Sequence, residues 1–161
     1  MKSKGDGILL NVTEKKEQTI TQLLNGTIKS IKSIVPLKLN LQKPVISGEV
    51  LKLKFGVLIG ITGDAKGKMV ITGDTETFGI IGETMFGMPL EGDMLVSFSG
   101  ELGNMIAGGL STNINEQGII TDITSPTILQ GNTTLTGYEK ALRVPISIEN
   151  AGALNIYLLL D

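Results

Sequence analysis

Apolar residues recur along this chain at two spacings, and the switches between them mark its elements. Ile20, Leu23, Leu24, Ile28, Ile31 and Ile34 follow helical spacing, with Thr13 as a candidate cap and Pro36 as the stop. The period then drops to two: Leu37, Leu39 and Leu41 alternate with Lys38 and Asn40, and Leu51, Leu53, Phe55 and Val57 alternate with Lys52, Lys54 and Gly56. That alternation predicts strands with one wet face. Gly60, Gly63 and Gly67 mark a turn before a short strand at 68–72. Asp74 and Thr75 open a second helix carrying Phe78, Ile81 and Met85, which ends at Gly87 and Pro89. Residues 94–115 read as one long amphipathic helix, followed by strands near 119–123 and 127–129. Two closing strands, 141–148 and 153–160, are joined by Glu149-Asn150-Ala151-Gly152, a turn suited to a hairpin.

Placed side by side, the two halves look like one unit used twice: a long helix, a strand, an X-Pro break and an antiparallel pair. Gln22, Asn25 and Pro44 align with Glu101, Asn104 and Pro126 at offsets of 79, 79 and 82 residues. Long helices packed on an antiparallel sheet give an α+β class with an internal pseudo-repeat.

Composition narrows the chemistry. A chain of 161 residues with 41% apolar content can bury one core, and one domain is the default. No apolar run approaches the roughly 20 residues that span a bilayer, and Ile8-Leu9-Leu10 is too short for a signal-peptide core. The expectation is a protein without membrane insertion or export. The absence of cysteine and histidine excludes a thiol nucleophile, the usual zinc sites and Ser/His triads. A net charge of −2, 4% aromatic residues and no tryptophan argue against a nucleic-acid surface. Chemistry must come from carboxylates, amides, hydroxyls, Lys or Arg, and a protein is the expected partner. Gly60, Gly63, Gly67 and Lys68 do not form a phosphate loop, because Thr62 and Met69 occupy positions that such a loop gives to Gly and Ser/Thr.

The long helix carries the candidate site. From Met94 to Asn115 its only charged side chain is Glu101, three residues before Asn104. Leu95, Phe98, Leu102, Met105, Ile106, Gly109 and Leu110 form one stripe, and Glu101 and Asn104 lie on the other side, about 60° apart at 100° per residue. Around the pair stand Ser97, Gly100, Gly108 and Ser111, where an ordinary solvated face would carry Lys, Glu, Gln or Arg. Gly100, Gly103, Gly108 and Gly109 together cost a helix interior on the order of 3–4 kcal/mol relative to alanine. Either another backbone packs closely here, or a partner protein approaches until Glu101 and Asn104 enter its own cleft. Gln22 and Asn25 share their face with Gln18, Lys29 and Lys32, which reads as plain solvation.

The stretch from Ser97 through Glu101 and Asn104 to Gly108, continued by Thr121-Asp122-Ile123-Thr124-Ser125-Pro126-Thr127, resembles the signature of the CheC/CheX/FliY chemotaxis phosphatases. In that signature an Asp or Ser is followed after three residues by Glu, after two more by Asn, and after about twenty-two by Pro; here twenty-one residues separate Asn104 from Pro126. One such helix, with Gln22 replacing the acid in the other, makes the chain CheX-like. The resemblance runs from about residue 17 to the end, leaving residues 1–16 as an N-terminal extension, an added strand or a tail. It implies a CheC-like fold and a cytoplasmic homodimer that removes phosphate from the phospho-aspartate of CheY or a CheY-like response-regulator receiver. Carried over, Glu101 pairs with the receiver's lysine and Asn104 orients the attacking water, while Ser97 matches the first signature position as a possible accessory. Gly100, Gly108 and Ser111 then belong to the partner-docking face. No cofactor is bound by the chain itself, and Mg2+ belongs to the phosphorylated partner. The rival readings are a non-catalytic receiver-binding or flagellar-switch-type module, and a structural dimer whose glycines serve helix packing.

Overall fold

The computed structural model describes residues 4–48 and 50–161, with side chains from Lys16 onward. Helix α1 (Lys4–Ile34) is followed by short strands β1 (Leu39–Leu41) and β2 (Val45–Ser47), and by the hairpin of β3 (Leu51–Gly63) and β4 (Gly67–Gly73). Helices α2 (Thr75–Phe86) and α3 (Asp93–Asn115) come next. Strands β5 (Thr121–Ile123), β6 (Thr127–Leu135), β7 (Lys140–Ile148) and β8 (Gly152–Leu160) complete the chain. The backbone is helical from Lys4, so Thr13 lies within α1 and not at its N-terminus. Residues 4–16 therefore prolong the helix where an extra strand or tail is predicted, and residues 1–3 of that extension lie outside the described residues.

All strands join one antiparallel sheet whose pairing exposes the duplication. The main path runs β1-β7-β8-β4-β3-β5, with β2 also on β7 and β6 also on β3. Each half thus supplies a central hairpin, β3–β4 or β7–β8, and a split outer pair that joins the other half's hairpin. The two hairpins meet at β4–β8, where Ile71 faces Ile156 and Val70 faces Tyr157. Pro44 and Pro126 stand in the gaps within the split pairs, where a ladder N–H is not needed. Helix α2 is the one element without a counterpart.

The helices cover one face of the sheet. Val57, Ile59, Met69, Ile71, Val144, Ile156 and Leu158 meet Leu23 and Ile31 of α1, Phe78 and Ile81 of α2, and Leu102, Ile106 and Leu110 of α3 in one continuous core. Phe55 and Phe78 pack edge to face with centroids 5.1 Å apart. The other face carries a smaller cluster of Leu51, Leu53, Val70, Ala141 and Leu159. Here the simple alternation fails: pairing of β3 with β6 shifts register between Leu53 and Phe55, so the two leucines serve the second cluster while Phe55 and Val57 serve the main core. Strand β6 also runs to Leu135, well past the predicted end at residue 129.

Candidate functional site

Helix α3 lies between α1 and the β3, β5, β6 side of the sheet, and small residues let it come close to both. A Cβ on Gly103 would fall 2.7 Å from Val57 Cγ1, and a Cβ on Gly109 would meet Ser30 of α1. Ser30 Oγ itself donates to the carbonyl of Ile106 at 2.7 Å, and Asn113 Nδ2 donates to the carbonyl of Gly26 at 3.4 Å. The helix axis is thus held on two sides by contacts that larger residues would push apart.

The segment after the helix is pinned as firmly. Thr121 N donates to Asn115 Oδ1 at 2.8 Å, Ile120 N to Asp64 Oδ2 at 2.9 Å, and Gly60 N to Thr124 Oγ1 at 2.8 Å. Thr124 N returns a bond to the carbonyl of Gly60 at 2.9 Å. These bonds deliver Pro126 onto α3, where it and Ile128 cover Gly100, one turn before Asn104.

Glu101 is exposed and Asn104 half-buried, on the part of α3 that neither α1 nor the sheet covers. Among the described residues, neither side chain makes a hydrogen bond or an ion pair. Ser97 is exposed one turn before Glu101. The small residues expected around the pair divide differently. Gly100 is buried, with Ile128 Cδ1 3.3 Å and Pro126 Cγ 3.7 Å from where its Cβ would lie. Ser111 spends its hydroxyl on β5, donating to the carbonyl of Thr121 at 3.1 Å and lying 2.9 Å from Thr121 Oγ1. Gly108 is half-buried, with Ile123 Cδ1 3.9 Å from its Cβ position. Of the three residues expected on an open docking face, Gly100 is withdrawn because Pro126 and Ile128 cover it, while Gly108 and Ser111 keep part of their surface. Gly100 and Ser111 seat the helix on its own sheet, and Gly108 sits at the border of that contact.

A groove that the sequence did not disclose begins at Glu101. It has a volume of about 520 Å3 and is lined by Phe86, Met88, Leu90, Met94, Ser97 and Glu101. Phe86, Met88 and Met94 are 61%, 49% and 54% exposed, large values for such side chains. Phe86 packs edge to face on Phe98 at 5.8 Å, which fixes one wall. The groove's signal in the sequence is the run Phe86-Gly87-Met88-Pro89-Leu90, whose Gly and Pro end a helix while Phe86 and Met88 stay exposed. The cognate pair in α1, Gln22 and Asn25, lines a separate cleft with Lys29, Asn113 and Gln117. Among the described residues, no group of three or more His, Cys, Asp or Glu is placed to hold a metal ion, and no helix is long and apolar enough to cross a membrane.

A duplicated antiparallel sheet with long helices on one face is the architecture of the CheC-like α+β proteins. The family model for the chemotaxis phosphatase CheX matches residues 55–148, and this chain belongs to that family. It is 26% identical over 144 residues to the CheY-P phosphatase CheX of Thermotoga maritima, covering 86% of this chain and 93% of that protein. The structure of chemotaxis protein CheX from Vibrio vulnificus superposes with a TM-score of 0.75 at 26% identity, covering 89% of this chain and 99% of that one. CheX from Borrelia burgdorferi, solved as a CheX–CheY complex with BeF3 and Mg2+, shares the fold with a TM-score of 0.72 at 22% identity, covering 88% and 96%.

Proposed function

We propose that this chain is a phosphatase that hydrolyses the phospho-aspartate of a CheY-like response-regulator receiver. The observation that carries this reading is the pair on α3: a carboxylate and an amide three residues apart, free of internal partners among the described residues, on a helix whose one other charged residue is Asp93 at its start. The Thermotoga maritima relative, a CheY-P phosphatase, supports the same substrate.

The chemistry is a displacement at phosphorus. Water attacks in line, the bond between phosphorus and the aspartyl oxygen breaks, and the products are inorganic phosphate and the aspartate carboxylate, with one proton released. Such a reaction needs positioning and electrostatics more than covalent help. The Asn104 amide orients the water through its carbonyl oxygen and N–H groups without changing protonation state. Glu101 pairs with a lysine in the receiver's pocket and fixes the approach of α3. The divalent cation that supports the phosphoryl group belongs to the receiver.

The test is decay of a phosphorylated CheY-type receiver in magnesium with this protein and with Asn104→Ala. Fast decay with the former and near-spontaneous decay with the latter is expected. Equal decay with both removes the enzymatic reading. Phosphorylation-dependent binding without faster decay would make the chain a recognition module of the flagellar-switch type.

A further inference from the structure

The apolar groove beside Glu101 has no role in orienting water, yet it is continuous with the residue that would contact the partner. The stretch of chain that forms it is acidic. Of the fourteen Lys and Arg in the chain, none lies between Lys68 and Lys140, whereas nine of the sixteen acidic residues do. That acidic stretch comprises α2, α3, β5 and β6, and so includes every residue lining the groove. Asp93 lies on the groove wall, Glu91 lies in the loop that forms it, and Glu83 is in the last turn of α2. A monomer has no reason to leave Phe86, Met88 and Met94 together in water, and a surface so biased repels any partner with an acidic rim.

We propose that this groove is the recognition surface for the receiver, holding an apolar patch flanked by Lys or Arg next to the partner's phosphorylation pocket. This inference rests on the function proposed above, because the groove ends at Glu101, and whatever fills it is brought to α3 and Asn104. Methionines at two of its three exposed apolar positions suit it to adapt to a partner's shape, and the Phe86–Phe98 contact supplies a rigid anchor. The groove lies away from the reacting bond, so it binds ground state and transition state alike. Its removal raises KM and leaves kcat in place.

The experiment is steady-state dephosphorylation of a phosphorylated CheY-type receiver by the full chain, with Met88→Ala/Met94→Ala and, separately, Glu91→Gln/Asp93→Asn. Circular dichroism confirms the fold of each. The methionine pair is expected to raise KM about tenfold with kcat within about twofold. The acid pair is expected to lower the on-rate and flatten its dependence on salt between about 50 and 300 mM. Unchanged KM in the methionine pair, in a protein that still loses activity with Asn104→Ala, overturns the groove and spares the phosphatase. Should the wild-type chain bind the receiver without hydrolysing it, the function fails while the same variants still test the groove through Kd. Dissociation of a dimer by the methionine pair, with receiver affinity unchanged, assigns the surface to a second copy and overturns the proposal.

Discussion

Gly103 of α3 and Val57 of β3 are in such close contact that a Cβ on the glycine would lie 2.7 Å from Val57 Cγ1 and 3.1 Å from Ile59 Cδ1. Both strand residues are fully buried, and Val57 is stiff at χ1 on a strand paired on both sides. With a Cβ there, either they or the helix must shift. Asn104 is the next residue, so the closeness of helix to sheet sets how far the amide projects.

Gly103→Ala is therefore expected to destabilise despite the better helix propensity of alanine. The propensity gain of about 1 kcal/mol opposes an overpacking cost of about 1–3 kcal/mol. A net loss of up to about 2 kcal/mol in urea denaturation, with a lower kcat from the displaced amide, is the expected result. A more stable variant would mean that Val57 and Ile59 repack freely.

Asn104→Ala separates positioning from folding. Among the described residues the amide has no hydrogen-bond partner, and it is half exposed, so stability should move by no more than about 0.5 kcal/mol. Receiver dephosphorylation should fall on the order of 100-fold or more, with KM little changed. Asn104→Asp keeps the shape but sets an anion against the phosphoryl oxygens, and it should not restore the rate. Single-turnover decay of the phosphorylated receiver measures both.

Glu101→Gln keeps size and removes charge. If the carboxylate pairs with a receiver lysine, Kd should weaken about tenfold at low salt, and the gap from wild type should narrow as salt rises. Equal salt dependence in the two proteins would show that this charge does not face a cation.

Much of this arrangement is legible in the chain because its signals are local. The 3.6-residue stripe of α3 and Glu101 on the side opposite it are visible directly, and the offsets between Gln22, Asn25, Pro44 and Glu101, Asn104, Pro126 report a duplication that the sheet order bears out. The rest depends on tertiary context. Leu51, Leu53, Phe55 and Val57 alternate without a break, so nothing in the pattern shows the register shift that sends the first two to the other face. The apolar signal of β6 stops at Leu129 although pairing continues to Leu135, where Thr133 and Thr134 hold the ladder against Leu53 and Lys52. Gly100 and Ser111 look like open surface until Pro126 and Thr121 are laid over them. The exposed Phe86 and Met88 sit where a helix ends, and sequence treats such a place as punctuation.

The contact between α1 and α3 offers a sharper energetic test. Ser30 Oγ is buried and donates to the Ile106 carbonyl, and the same oxygen is the nearest atom to where a Cβ on Gly109 would lie. Ser30→Ala alone should cost about 1 kcal/mol, the net worth of one buried hydrogen bond whose acceptor stays within a helix. Gly109→Ala alone should cost more than that, because the new methyl strikes the hydroxyl and forces the helices apart. In the double variant the oxygen is gone and the methyl enters part of its space, although Ser30 Cβ remains 3.1 Å away. The two changes should therefore be less damaging together than their sum by about 1 kcal/mol, measured as a double-mutant cycle in denaturant. Additivity within about 0.3 kcal/mol would mean that α1 and α3 do not meet through this pair.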